Sequence, residues 1–455
     1  MNMAKQKSRY VCQNCGTSFA KWAGRCENCG EWNTLLEQVV QSESEVKGAL
    51  ARGAVSGKKL KAVSINTIEP SDAGSRLSTG FPDFDTVLGG GILLGSVSLL
   101  AGQPGIGKST ILMQICAKVS NSGHNVLYVS GEESAGQVKL RAVRLGASSD
   151  KLHFASSASG NNIAKTIEEG DYELVIVDSI QTLSLAEISS APGTVSQVSN
   201  CGNLIIRAAK SSNTAVVIVG HVTKDGTLAG PKVLEHLVDV VLNFEGDRYG
   251  GFKTVRAVKN RFGSTTEVAI FEMADKGLTE VKNPSEALLS ERQNTDGSII
   301  MATIEGARPL LVEIQALVNP TNFGYPKRTA SGFDLNRLNL LIAVLEKRTK
   351  LSLQDKDIFI NVVGGLRLND SAADLAICMA IASAAAGRKL DEKIVVFGEI
   401  GLGGEIRSVI APDRRIAEAK KLGFKNAIGP ATIKDKFVLP VKDLRSALVK
   451  YMNNK

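Results

Sequence analysis

Eight consecutive residues, Gly102-Gln103-Pro104-Gly105-Ile106-Gly107-Lys108-Ser109, follow the spacing GxxxxGK[ST]. That spacing suits a loop that wraps phosphate groups in backbone N–H donors. The glycines let the chain curl, Lys108 is long enough to reach β- and γ-phosphates, and the Ser109 hydroxyl can hold Mg²⁺. Ser109 and Thr110 open a helical pattern whose positive dipole end favours an anion. The expected chemistry is ATP binding with Mg²⁺ over Gly102–Thr110. Some 70 residues after Lys108, Asp178 ends the apolar run LVIVD. A buried strand would carry this carboxylate to its C-terminal end, where a magnesium ligand belongs. Glu132 and Glu133 follow another strand pattern, and one of them is expected to act as general base on water. Glu132 is favoured; two solvated loop carboxylates are the bland alternative.

A second cluster is built for a metal. Cys12-x2-Cys15 and Cys26-x2-Cys29 form two Cys-x-x-Cys knuckles. Two pairs complete a tetrahedral Zn–S₄ site, which is closed and therefore structural rather than catalytic. Disulfides or redox dithiols are the competing reading. Trp22, Trp32, Lys21 and Arg25 lie between and beside the knuckles, as contacts to DNA or a partner, or as the module's own small core. Cys116, Cys201 and Cys378 sit in apolar segments and read as core residues in a reducing compartment.

The elements that must position these groups follow from the apolar pattern. Ser96–Gly102, Leu174–Ser179 and Ala215–Val222 are short apolar runs, Asn125–Ser134 is a further strand with its end, and helical patterns such as Thr110–Ser120 separate them. Buried strands alternating with helices imply a parallel sheet covered on both faces. Val240–Gly246, Thr254–Asn260 and Glu267–Met273 follow closely and suggest an antiparallel extension at one edge. Beyond residue 285, strands are expected at Leu310–Leu317, Ile358–Val363 and Ile394–Gly398, and helices at Phe333–Lys347, Ala372–Ala386 and Pro412–Leu422. The organisation expected is a zinc-binding module (1–38), a linker (39–75) with a short strand at Lys61–Ile65, a phosphate-loop ATPase domain (76–280) and a second α/β domain (285–455).

Composition adds bounds. Hydrophobic residues make up 43% and charged residues 22%, which is ordinary for globular domains. The chain carries 54 Lys and Arg against 46 Asp and Glu, a formal charge of +8. The excess is uneven, with ten basic and five acidic residues in 1–61. That is compatible with a nucleic-acid partner without requiring one. No apolar run reaches the ~18 residues needed to span a membrane. The basic N-terminus runs into cysteines rather than an apolar signal segment. The expectation is a cytoplasmic protein with no membrane partner.

The ordered set of four-cysteine knuckle, GQPGIGKS, LVIVDSIQ, Lys259-Asn260-Arg261-Phe262-Gly263 and a C-terminal region like the Lon peptidase domain resembles the bacterial RadA (Sms) family of DNA repair proteins over nearly the whole chain. The KNRFG pentapeptide is its most specific element. The resemblance implies a RecA-like ATPase core, a homohexameric ring, and DNA-dependent ATP hydrolysis that drives branch migration of recombination intermediates in a helicase-like way. It implies single-stranded and branched DNA as partners, with the recombinase RecA beside them. Lys259 and Arg261 match the family's motif residues, and such cations in ring ATPases reach the neighbouring subunit's γ-phosphate; the same motif is also tied to DNA engagement. His221 matches a γ-phosphate sensor and Lys224 a DNA contact. The segments Ser189–Asn200 and Gly226–Lys232, rich in small residues, are candidates to line a ring channel.

Within the Lon-like region, GGLRLNDSAADLAICMAIAS and GEIGLGGEIR carry the likeness. Active Lon enzymes use a Ser-Lys dyad. The nucleophile position falls here on Ala372 and the lysine position near Asp413, ahead of Arg414 and Arg415. Ser371 is one residue off and reads as a helix cap, and arginine stays protonated and cannot act as base. No peptidase activity is expected. Arg367, Arg388, Lys389, Arg407, Arg414 and Arg415 are candidate phosphate contacts, against the simpler reading of scattered surface basics. Two rival functions remain: an ATP-dependent protease of Lon type, which the missing dyad disfavours, and a signalling ATPase of the circadian-clock type, which leaves the knuckle unexplained.

Overall fold

The computed structural model describes residues 7–12, 17–32, 34–40, 64, 66, 75–221, 232–246, 252–321 and 324–452. Cys15, Lys224, residues 226–231 of the second channel segment, the strand expected at Lys61–Ile65 apart from Ser64, and most of the expected linker lie outside the described residues.

Strands β1 (Lys7–Cys12), β2 (Ser18–Phe19) and β3 (Leu35–Val40) form a small antiparallel sheet in the order β2-β1-β3. Its core is Cys12, Cys26 and Leu35, with Tyr10, Phe19, Ala23 and Cys29 packed against it. Trp22 and Trp32 take no part in that core: they are 59% and 68% exposed.

The following elements are β4 (Arg76–Leu77), α1 (Pro82–Val87), β5 (Ile92–Leu93), β6 (Val97–Gly102), α2 (Lys108–Asn121), β7 (Val126–Ser130), α3 (Ala135–Arg144), β8 (Leu152–Ser156) and α4 (Gly160–Glu169). Next come β9 (Leu174–Asp178), α5 (Val195–Ser212), β10 (Ala215–His221), α6 (Lys232–Leu237), β11 (Val240–Gly246), β12 (Phe252–Asn260), β13 (Val268–Ala274) and β14 (Gly277–Glu280). The C-terminal part holds α7 (Pro284–Leu289), β15 (Ser298–Glu305), β16 (Arg308–Pro320), β17 (Arg328–Ser331), α8 (Leu335–Thr349), β18 (Lys356–Val362), α9 (Ala373–Ala386) and β19 (Ile394–Val396). It ends with β20 (Glu399–Ile400), β21 (Ile406–Arg407), α10 (Pro412–Lys421), β22 (Asn426–Pro430), β23 (Val438–Val441) and α11 (Leu444–Met452).

The chain divides into two compact units. One comprises residues through Ser78, Ile92–Ala101 and Ile115–Val241. Its strands run in the order β6-β10-β9-β7-β8, and β10–β9, β9–β7 and β7–β8 are parallel. Every residue of β6, β7 and β9 is buried, as strands covered on both faces require. The strand entering the phosphate loop is therefore one strand, β10, away from the strand that ends in Asp178, the RecA-like arrangement. Helix α3 starts on a capping box in which Ser134 and Gln137 satisfy each other's backbone N–H. Helix α5 begins at Val195, so the candidate channel segment Ser189–Asn200 is corrected in part: Ser196, Gln197 and Val198 are buried. The Gln197 amide is spent on the carbonyls of Ile188 and Ser190, at 3.0 and 2.8 Å, and it stitches the preceding loop to the helix.

The other unit comprises Thr79–Gly91, Gly102–Gln114 and Leu242–Lys455. Its β12–β13 and β13–β14 pairs are antiparallel, in the order β14-β13-β12-β11. A seven-stranded sheet follows, ordered β17-β18-β16-β15-β19-β22-β23. Helix α9 is buried without a break from Ala373 to Ser383. Helix α8 starts two residues later than expected because Asp334 caps it, accepting from Arg337 N at 2.8 Å. Among the described residues no helix is long and apolar enough to cross a membrane.

Candidate functional site

The phosphate loop leaves β6 at Gly102 and enters α2 at Lys108. The N–H groups of Thr110 and Ile111 both bond the Gly107 carbonyl, at 3.1 and 3.0 Å, and so start the helix on that glycine. Gly107 has φ +118°, a conformation L side chains rarely adopt. Lys108 is 4% exposed, and its Nζ donates to the carbonyls of Gly102 at 2.8 Å and Gln103 at 3.0 Å. The ammonium is thus folded back onto its own loop. Ser109 and Thr110 are half-buried at the helix start.

The carboxylates have a separate support. Asp178 is 9% exposed and its Oδ2 accepts the Tyr128 hydroxyl at 2.6 Å. Burial first, then the charge of Asp178, push the Tyr128 hydroxyl well above its ordinary value of 10.0. Tyr128 therefore remains a donor through the physiological range. Glu132 is exposed and accepts the Ser179 hydroxyl at 3.1 Å through Oε1. Glu133 is instead paired with the Arg141 guanidinium. The other Arg141 terminal nitrogen, Nη1, is buried with no hydrogen-bond partner. The backbone N–H groups of Glu132 and Glu133 both point at Ser130 Oγ, at 3.3 and 2.9 Å. Tyr128, Ser179 and Arg141 were not singled out from sequence; Tyr128 reads there as one more strand residue.

The KNRFG turn ends β12. Asn260 donates Nδ2 to the Val87 carbonyl at 3.1 Å and accepts Phe262 N at 2.8 Å. Gly89, with φ +82°, lies so near that a Cβ there would sit 2.8 Å from the Phe262 carbonyl. The run Gly89-Gly90-Gly91 and the pentapeptide are therefore fitted to each other, and Asn260 is the clamp. Arg261 is exposed and Lys259 half-buried. His221 ends β10, half-buried.

The sulfur atoms of Cys12, Cys26 and Cys29 all lie within 4.8 Å of one another, with Cys12 and Cys29 at 3.6 Å. Zn–S bonds of about 2.3 Å in a tetrahedron put sulfurs about 3.8 Å apart, so the thiol set fits zinc. No disulfide links Cys12, Cys26 and Cys29 to one another. Cys116, Cys201 and Cys378 are free and buried, as expected of core residues.

At the degenerate dyad, Ala372 is fully buried and precedes α9 with no side-chain cap. The cap expected from Ser371 is absent; Asp370 acts there instead, its Oδ1 accepting Ala372 N at 3.0 Å. Arg415 is also corrected. It is 1% exposed, donates Nη1 to Asp370 at 2.6 Å and to the Ala302 carbonyl at 2.7 Å, and donates Nε to Ile410 O at 3.0 Å. A guanidinium so engaged cannot meet a phosphate. Arg367, Arg388, Lys389, Arg407 and Arg414 are exposed.

Segments of the chain are similar to three known families: the AAA domain over residues 67–227, the rubredoxin metal binding domain over 10–37, and subunit ChlI of Mg-chelatase over 338–433. Among curated relatives, the DNA repair protein RadA of Bacillus subtilis (strain 168) is 48% identical, covering 96% of this chain and 95% of its own length. That of Halalkalibacterium halodurans is 48% identical, covering 94% and 93%. That of Aquifex aeolicus (strain VF5) is 45% identical, covering 98% and 99%.

Proposed function

Since this chain belongs to the RadA family of DNA repair proteins, we propose that it is a DNA-dependent ATPase of homologous recombination, driving branch migration as a helicase-like homohexameric ring in the cytoplasm. Single-stranded and branched DNA are its substrates, and a recombinase such as RecA its partner. The observation that carries the reading is the phosphate loop, with its buried lysine held ready on two backbone carbonyls.

The roles assigned are these. Backbone N–H groups of Gly102–Thr110 wrap the phosphates, and Lys108 exchanges its two carbonyl partners for phosphate oxygens. The Ser109 hydroxyl and the Asp178 carboxylate are each assigned as hard-oxygen donors to Mg²⁺, which would offset phosphate charge. Tyr128 orients Asp178. Glu132 takes the proton from water. Arg261 and Lys259 act on the neighbouring subunit's nucleotide, on DNA, or on both, from a turn that Asn260 holds in place. His221 senses the γ-phosphate. Cys12, Cys15, Cys26 and Cys29 hold a structural zinc that stabilises the N-terminal module.

Peptidase activity is not part of this reading. Ala372 offers no nucleophile, and a buried ion pair joins Asp370 to Arg415 beside it. The signalling alternative leaves the thiol cluster without a purpose.

The test is ATP-driven branch migration on a synthetic three-strand junction, comparing wild type with Lys108→Ala. Wild type should move the branch, while the variant binds the junction and leaves it static. A wild type that hydrolyses ATP without moving any branch would overturn the motor reading.

A further inference from the structure

The chain has two tryptophans, Trp22 and Trp32, and both are exposed on the zinc module. Large aromatic rings left in water forgo burial, and exposed rings set side by side form an apolar patch of the kind that marks a binding surface. The module does not need them: its core closes on Cys12, Cys26 and Leu35 with Tyr10, Phe19, Ala23 and Cys29. The two rings are neighbours. A Cβ placed on Gly24 would lie 3.7 Å from Trp32 Cζ3 and 3.9 Å from Trp22 Cη2, with no other residue among its nearest contacts. The missing side chain at Gly24 leaves both rings uncovered there. The Arg25 guanidinium lies 5.9 Å from the Trp32 ring centroid, fixed by its Nε donating to the Gly30 carbonyl at 2.7 Å.

We propose that Trp22 and Trp32 form a stacking platform for consecutive unpaired bases of single-stranded DNA. The proposal rests on the reading of this chain as a DNA-acting protein and names where on the module the strand is met. Stacking serves every base, since each has a π-face, and it requires bases not already stacked in a duplex. Lys21 and Arg25 supply cations beside the rings for the backbone. Exposed Glu27 and Glu31 offset them, so the platform holds bases more than it neutralises phosphates.

Both tryptophans lie in the module, so intrinsic fluorescence of the full-length zinc-loaded protein reports on it alone. The experiment titrates that protein with oligo(dT), reading tryptophan emission, while a labelled oligo(dT) reports total binding by anisotropy. Saturable quenching that tracks anisotropy is expected. Trp22→Ala and Trp32→Ala should each weaken binding about tenfold, with zinc content and DNA-free ATP turnover unchanged. The slope of affinity against salt should stay as in wild type, because no phosphate contact is lost. Gly24→Leu, which keeps both rings but lays a side chain against them, should weaken binding as well. Phenylalanine at either position should restore part of it. If the anisotropy binds normally while emission and affinity ignore these variants, the platform is overturned and the rings face another protein. If the oligonucleotide does not bind at all, the DNA reading falls with it.

Discussion

A general base must present a carboxylate oxygen to water, and an oxygen already engaged by a guanidinium is not available for that. Glu133 is held in this way by Arg141, whereas exposed Glu132 keeps only a hydroxyl from Ser179. Neighbours in sequence thus differ in what they are able to do. Glu132→Gln is expected to lower ATP turnover by about a hundredfold or more, with nucleotide binding retained. Glu133→Gln should cost less than about tenfold, since it removes a charge pair rather than the base. Steady-state turnover and nucleotide affinity of the two variants decide the matter, and a silent Glu132→Gln would exchange their roles. The sequence could not separate these residues. Arg141 lies eight positions after Glu133, on the second turn of α3, and nothing in its spacing announces which glutamate it meets. Tyr128 was hidden for a different reason: in an apolar strand its hydroxyl is invisible until the register of β7 against β9 brings it to Asp178.

Elements were more legible where one physical pattern dominated. The buried strands β6, β7, β9 and β10 are short continuous apolar runs, and α9 is an apolar stretch too long for a strand. Strand β15 (SIIMATIE) was missed, because a short apolar run does not declare its class when no helical repeat flanks it. Helix α10 was found, yet its inner face was misjudged. Arg414 and Arg415 read alike as basic surface, but α10 turns Arg415 onto Asp370, a partner 45 residues earlier. Burial opposes ionisation of Asp370, the Arg415 guanidinium outweighs it, and the carboxyl is held below its ordinary value of 3.8. The stabilisation from a depressed carboxyl is complete above the ordinary value and disappears as pH falls through the lower, folded one. Arg415→Met should therefore destabilise the C-terminal domain at neutral pH by about 3–5 kcal/mol, because it strands a buried charge. Adding Asp370→Asn should recover a large part. Hydrogen exchange of α9 and β15 in urea measures this. In wild type the protection should weaken below about pH 4, and in the double variant that acid step should be smaller, with Glu405 and Asp435, also held low, keeping the rest; equal stability of wild type and Arg415→Met would remove the pair's structural role.

At the scale of the whole molecule, the ring reading makes a demand that a monomer does not. A finger acting in trans needs its own side chain on one subunit and an intact phosphate loop on the next. Arg261 is exposed on a turn clamped by Asn260 against the glycine run, a placement that supports reaching outward. Lys108→Ala removes the loop's function and Arg261→Ala the finger's, so each variant alone should be inactive in DNA-stimulated ATP turnover. Mixed and reassembled in equal amounts, they create interfaces in which an intact loop from one subunit faces an intact finger from the other. With random assembly in a closed ring, about a quarter of interfaces are of that kind, and turnover should recover towards about a quarter of wild type. A side chain acting within its own subunit gives no recovery, because every chain then lacks one of the two groups. Recovery would support the ring and the trans role together. Its absence, with mixed assemblies demonstrated by light scattering, would leave Arg261 to DNA, and the salt slope of DNA affinity in Arg261→Ala should then fall by about one phosphate contact.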